Sequence, residues 1–77
     1  RVNAVAPGWI RTPMTQPLQN DARRSAAVLG RVPLRRWGEA HEVAGVVLFL
    51  VSDESRHVNG AEIMVDNAAL AMGPMGA

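Results

Sequence analysis

The sequence predicts an α/β fold organised as a strand-helix-strand unit with two parallel strands. Three observations carry this reading. A short branched apolar segment, Val2-Asn3-Ala4-Val5-Ala6, stops at Pro7-Gly8. A longer apolar run, Val43-Ala44-Gly45-Val46-Val47-Leu48-Phe49-Leu50-Val51, has the length and flanks of a buried helix, and Ala61-Glu62-Ile63-Met64-Val65 repeats the strand pattern after a turn. A strand, a helix and a second strand in that order imply a right-handed crossover between parallel strands, and parallel sheets occur almost only with both faces covered. Two strands and one main helix do not cover themselves, so burial against further protein is expected.

Residues 2–6 form the first strand of about five residues, ended by Pro7, which has no ladder donor, and by Gly8, which permits a turn. Thr12 precedes Pro13 and is pushed toward an extended backbone, and Pro17 follows, so residues 9–17 are expected as a loop rather than one continuous helix. Asn20 or Asp21 is a suitable N-cap for a short helix through Ala22, Ala26, Ala27, Val28 and Leu29, with Gly30 as its stop. Residues 31–38, with Pro33 and Gly38 and no period, mark a second connection whose Val32, Leu34 and Trp37 lie against something.

The apolar run 43–51 is ambiguous by periodicity alone. Its flanks decide for a helix over residues 39–52: Glu39 and Glu42 stand where a helix N-terminus favours acids, and Ser52-Asp53-Glu54 closes the run. Being apolar on nearly every face, the helix is expected to be buried all round. Gly45 costs it about 1 kcal/mol relative to alanine, which fits either the approach of another backbone there or a small, indifferent gap-filler. Val58-Asn59-Gly60 signals a turn, residues 61–65 read as the second strand, and residues 68–77 have no period and are expected as a mobile or partner-docked tail.

Composition bounds the function. With 77 residues there is room for one domain at most, and with no cysteine and only His41 and His57 far apart in sequence, neither disulfides nor a local metal pair is expected to staple it. Five of the eight arginines (Arg23, Arg24, Arg31, Arg35, Arg36) fall in one segment, yet no aromatic platform beyond Trp37 is interleaved, so a solvated face is a better account than nucleic-acid binding. The longest apolar run has nine residues and no secretory pattern opens the chain, so neither a membrane span nor export is expected and the cytoplasm is the expected compartment. Ser25, Ser52 and Ser55 lack the surroundings of a hydrolase nucleophile, and Glu39 and Glu42 are better explained by the helix dipole than as a catalytic carboxylate pair.

Three separated blocks then carry a resemblance: Val2-Asn3-Ala4-Val5-Ala6-Pro7-Gly8-Trp9-Ile10-Arg11-Thr12; Pro33-Leu34-Arg35-Arg36-Trp37-Gly38-Glu39 running into Glu42-Val43-Ala44; and Phe49-Leu50-Val51-Ser52-Asp53 with Val58-Asn59-Gly60-Ala61-Glu62 to Asp66. In order and spacing, residues 1–66 resemble the C-terminal portion of a short-chain dehydrogenase/reductase. The resemblance implies a Rossmann-type doubly wound parallel sheet whose last two strands are present, and an NAD(P)-dependent oxidoreductase that interconverts an alcohol and a ketone or aldehyde. It implies that Pro7, Gly8, Ile10 and Thr12 bind NAD or NADP, the Ile10 backbone bonding the carboxamide and the Thr12 hydroxyl bonding the cofactor near the carboxamide or the pyrophosphate. It divides the chain into a strand and cofactor loop (1–12), a substrate lid (13–38) in which Met14 and Leu18 are candidate substrate contacts, an interface helix and last strand (39–66), and a tail (67–77). A small-molecule carbonyl or alcohol substrate and a homodimer or homotetramer are the implied partners, with no nucleic acid and no membrane.

Asn3 corresponds to a structural position rather than a catalytic one. Asp66 is usually followed in the family by two glycines but here by Asn67 and Ala68, so the final turn is expected to differ. The family's catalytic tyrosine, lysine and serine and its glycine-rich phosphate loop have no counterparts: the chain has no tyrosine and no lysine, so no catalytic residue is assigned and the chain alone is expected to be inactive. A non-catalytic association module, pairing through the helix and last strand, is the alternative reading.

Overall fold

The computed structural model describes residues 1–72. Strand β1 (Ala4–Pro7) lies parallel to β4 (Glu62–Val65), in the register Ala4↔Glu62 to Pro7↔Val65. Helix α3 (Ala40–Val51) packs against both. A second, two-residue parallel bridge joins β2 (Ile10–Arg11) to β3 (Gly38–Glu39), and it closes the base of the long excursion between them.

The first strand is displaced from the expected 2–6, because Pro7 belongs to it. Ala4 donates to the Ala61 carbonyl at 2.8 Å and Gly8 to the Val65 carbonyl at 3.0 Å. Donors of this parity face β4, so the donor that proline lacks would have pointed away from it, and the ladder loses nothing. The second strand begins at Glu62 rather than Ala61. Asn3 clips the two strands together at their start: its Nδ2 donates to the Val58 carbonyl at 3.1 Å and its Oδ1 accepts from the Ala61 amide at 2.9 Å. That is a structural role.

The excursion is more regular than the loop expected over residues 9–17. A 3₁₀ turn (Pro13–Thr15) leads into a one-turn helix α1 (Gln16–Gln19), and both prolines sit at the first positions of these elements, where a missing N–H leaves nothing unpaired. Helix α2 (Ala22–Leu29) follows, its N-terminus capped by the Asp21 carboxylate, which accepts from the Arg24 amide at 3.1 Å. Val28, Val32 and Trp37 are buried and form a small core of their own, and the Trp37 indole N–H donates to the Ser25 hydroxyl at 3.0 Å. Trp37 also meets Trp9 edge to face, with centroids 6.3 Å apart.

The N-terminus of α3 is built by its acids. The Glu39 amide donates to Glu42 Oε1 at 2.8 Å, and the same carboxylate takes a bidentate pair from Arg36 at 2.8 and 2.9 Å. The Arg36 guanidinium, with the Glu39 amide second, holds the Glu42 carboxyl down to about 2 from its usual 4.5. The Arg36 guanidinium is in turn raised by the same hydrogen bond.

The expectation that α3 is buried all round is not met within this chain. Val43, Val46 and Leu50 form the inward stripe, whereas Leu48 is 69% exposed and Val51 73%. A single two-stranded sheet offers one face to cover, and a helix apolar on all sides then leaves its other side open. A close backbone approach at Gly45 is likewise absent within the described chain, where nothing beyond its neighbours and its own helix comes within 4 Å of a Cβ built there.

Beyond β4 the segment expected as a mobile or partner-docked tail begins with a one-turn helix, α4 (Ala69–Met72). It is set up by Asp66, whose carboxylate accepts from the amides of Ala68 at 3.0 Å and Leu70 at 3.1 Å. Asn67 and Ala68 take positive φ of 53° and 61°, so the two residues that replace the family's glycines adopt the left-handed conformation themselves. The rest of the expected tail, 73–77, lies outside the described residues.

Candidate functional site

The carboxyl ends of β1 and β4 emerge side by side, and the corner that follows β1 is shaped by Gly8. A Cβ on Gly8 would stand 2.6 Å from Asp66 Cβ and 2.7 Å from Asp66 Cα. The glycine is therefore required by close approach to the neighbouring strand's exit rather than by a left-handed turn, since Gly60 has the positive glycine φ among the described residues. Pro7 ends β1 and Gly8 lets the chain cross Asp66; together they deliver residues 9–12 to the end of the sheet, where open parallel sheets bind their ligands.

Residues 10–12 are then fixed by a side chain that sequence reasoning overlooked. The Thr15 hydroxyl donates to the Ile10 carbonyl at 2.8 Å and lies 3.1 Å from the Thr12 carbonyl, while it accepts from the Thr12 amide at 3.1 Å. Gln19 Nε2 reaches the same hydroxyl at 2.8 Å and the Thr12 carbonyl at 3.2 Å. The Thr12 hydroxyl stands 3.5 Å from that of Thr15, the outer limit of a hydrogen bond, and so is not committed to it. The signal for Thr15 was its spacing: a threonine three residues after an N-cap threonine is the reciprocal pattern of a capped turn.

A cavity of about 380 Å³ opens between the two strand exits and the end of the excursion, lined among others by Trp9, Ile10, Leu34, Arg36, Met64 and Asp66. Of the six residues singled out from the sequence, Ile10 alone lines it. Pro7 is exposed at the end of β1, Gly8 is packed on Asp66, and Thr12 belongs to the Thr15 cluster. Met14 is 89% exposed, and Leu18 is half-buried in α1. Trp9, Thr15, Gln19 and Asp66 are the residues at this end that the sequence alone did not single out. Ile10 and Thr12 thus stand together on one short segment, and Met14 and Leu18 sit on the elements that follow it.

An acceptor carbonyl and, two residues on, a hydroxyl whose proton is not committed suit an amide-bearing ligand, which offers N–H donors and a carbonyl acceptor. The base of the excursion is tied down by the Trp9 carbonyl, which accepts from the Gly38 amide at 2.9 Å, and by the Arg11–Glu39 ion pair at 3.2 Å. Among the described residues no helix is long and apolar enough to cross a membrane.

Known proteins resemble this chain in sequence and in fold. The chain is 58% identical over 66 residues to a 3-oxoacyl-[acyl-carrier-protein] reductase of Thermotoga maritima, covering 86% of this chain and 26% of that protein. It is 52% identical over 65 residues to a 2-dehydro-3-deoxy-D-gluconate 5-dehydrogenase of Pseudoalteromonas atlantica, covering 84% of this chain and 26% of the relative. The fold matches a gluconate 5-dehydrogenase of Burkholderia cenocepacia in complex with NADP and tartrate, with a TM-score of 0.84 and 35% identity over 92% of this chain and 28% of that one. It also matches a 4-hydroxyisoleucine dehydrogenase complexed with NADH, with a TM-score of 0.89 and 27% identity over 92% of this chain and 29% of that one. The chain therefore spans little more than a quarter of the length of these relatives. Residues 1–67 match the family model described as enoyl-(acyl carrier protein) reductase, and with these relatives beside it the chain belongs to the short-chain dehydrogenase/reductase family.

Proposed function

We propose that this chain is the C-terminal portion of an NAD(P)-dependent oxidoreductase that interconverts an alcohol and a ketone or aldehyde by hydride transfer. The observation that carries the reading is the pairing of the Ile10 carbonyl with a Thr12 hydroxyl whose proton is not committed, at the carboxyl end of β1. The NADP and NADH bound by similar solved structures support it. In this reading the Ile10 backbone would hold the nicotinamide carboxamide, the Thr12 hydroxyl would bond the cofactor near the carboxamide or the pyrophosphate, and Pro7 and Gly8 bring them there. A dinucleotide held there would supply the hydride chemistry. Residues 13–38 serve as the substrate lid, with Met14 and Leu18 toward a small-molecule alcohol or carbonyl compound. Catalysis itself rests with residues upstream, since the chain has no tyrosine or lysine to carry the proton.

Placement at the C-terminal end of a wider sheet is supported by what the two strands leave open. Among the described residues β1 and β4 pair with each other alone. A second cavity of about 420 Å³, lined by Val2, Val5, Val47, Leu50 and Val51 beside Arg1 and Asn3, lies along β1 and α3 where further sheet and its covering would sit. The outward face of α3, with β4, joins copies of the chain into a homodimer or homotetramer.

The exposed apolar side of α3 also favours a second reading, a non-catalytic association module that pairs with intact subunits. One experiment separates them. Coding sequence in frame upstream of Arg1 is read for a glycine-rich loop and a Tyr-x-x-x-Lys, and the longer polypeptide is assayed for reduced nicotinamide against a panel of alcohols and ketones. Turnover supports the oxidoreductase. A longer polypeptide without these motifs and without turnover, yet able to co-assemble with intact subunits, leaves the association module.

A further inference from the structure

We propose that Thr15 is a positioning residue for the nicotinamide carboxamide: its hydroxyl fixes the direction of the Ile10 carbonyl and, through Gln19, latches the start of the excursion to the cofactor end of the sheet. The inference rests on the oxidoreductase reading above and goes beyond it to a residue that touches neither cofactor nor substrate.

A hydroxyl has one proton and two lone pairs. At Thr15 both lone pairs are occupied, by the Thr12 amide at 3.1 Å and by Gln19 Nε2 at 2.8 Å. The single proton is left with two acceptors, the carbonyls of Ile10 at 2.8 Å and Thr12 at 3.1 Å, and the shorter distance favours Ile10. The node is saturated, so its proton does not wander to solvent or to the Thr12 hydroxyl. A carbonyl has two lone pairs; with one held by Thr15, the other is presented in a fixed direction for an incoming amide N–H. Three of these contacts serve the local turn, but the bond to Ile10 crosses to β2 and is not needed to cap anything. Its use is to aim that carbonyl. Gln19 is the last residue of α1, so residues 13–19 and residues 10–12 move as one body, and ordering either orders both.

The test compares two dinucleotides in the longer polypeptide: the natural nicotinamide form and its 3-acetylpyridine analogue, in which a methyl ketone replaces the carboxamide and no N–H is left to reach Ile10. Binding is measured by calorimetry. Thr15→Val keeps the shape and removes the hydroxyl; it is expected to weaken the natural dinucleotide about tenfold and to leave the acetylpyridine analogue within about twofold of wild type. Thr15→Ser restores the hydroxyl and is expected to restore the natural dinucleotide to within about threefold. Gln19→Met, which removes the amide that orients Thr15, is expected to give an intermediate loss with the same cofactor dependence, and it keeps the test decisive should Thr15→Val not fold. Equal losses for both dinucleotides, or no loss for the natural one, overturn the proposal and leave Thr15 a turn residue. If the wild-type polypeptide binds neither dinucleotide, the oxidoreductase reading falls and takes this proposal with it.

Discussion

Replacing Gly8 by alanine puts the geometry of the sheet's exit to a direct test. The added Cβ would sit 2.6 Å from Asp66 Cβ and 2.7 Å from Asp66 Cα, against an optimal carbon-carbon separation of about 3.5–4.0 Å. Neither atom moves with a side-chain rotamer, so the overlap of about 1 Å is relieved only by spreading β1 from β4. Spreading strains the Gly8 amide bond to the Val65 carbonyl, now 3.0 Å, and tilts Asp66 away from the amides of Ala68 and Leu70 that its carboxylate holds. Overpacking of this kind costs about 1–3 kcal/mol, and weakening one backbone bond adds about 1 kcal/mol, for a loss of about 2–4 kcal/mol. In a polypeptide of the relatives' length that corresponds to a fall in Tm of about 5–15 °C. Scanning calorimetry of wild type and Gly8→Ala measures it, with Gly30→Ala as control, where the nearest atoms to a new Cβ are carbonyl oxygens at 3.4 Å and the expected change is under about 1 kcal/mol. A Gly8→Ala protein that melts with wild type would refute the argument, because it would mean that the corner opens at no cost and does not set the position of residues 9–12.

Three further outcomes follow from other parts of the fold. Ala68→Gly relieves a non-glycine residue held at φ 61° and is expected to raise stability by about 0.5–1 kcal/mol, seen as a higher denaturant midpoint with an unchanged slope. Glu42 has its carboxyl lowered to about 2 by Arg36, so its stabilising contribution is full above the ordinary value of 4.5 and is lost as pH falls from there through about 2. Glu42→Gln is accordingly expected to be less stable than wild type at neutral pH, with the gap closing across that acid window in a series of urea titrations. If α3 forms the proposed subunit interface, Leu48→Glu with Val51→Glu on its exposed apolar side lowers the assembled mass in sedimentation; an unchanged mass would refute that interface.

The main elements were legible because their signals are local. A branched apolar segment before Pro-Gly, acids ahead of an apolar run and an Asn-Gly turn each act within a few residues, and they led to β1, α3 and β4 with ends shifted by one or two positions. The 3₁₀ turn and α1 were missed because Pro13 and Pro17 were read as breakers, whereas both stand at element starts, where a proline replaces a donor that has no partner anyway. The cover for α3 was not legible for a different reason. Hydropathy states what a helix seeks to cover, and the cover itself depends on surfaces that sequence local to the helix does not encode.

The candidate site divides along the same line. Pro7, Gly8, Ile10 and Thr12 lie within six residues and were readable as one pattern, but the pattern did not say why each is there. Gly8 was read as freedom to turn, and its position against Asp66 makes it a matter of space, a contact between residues 58 positions apart that no local rule reports. Thr15 and Gln19 were passed over because neither is charged, apolar or aromatic, and their weight comes from convergence: one hydroxyl gathers an amide proton, a glutamine side chain and two carbonyls within 3.1 Å. A single motif supplies the groups that a ligand would meet. Rigidity is supplied by the neighbours, and a carbonyl aimed in advance binds more tightly than the same carbonyl left free, because the ordering has already occurred in folding. The chemistry proposed for this segment therefore depends as much on Thr15 and Asp66 as on the residues that carry the family pattern.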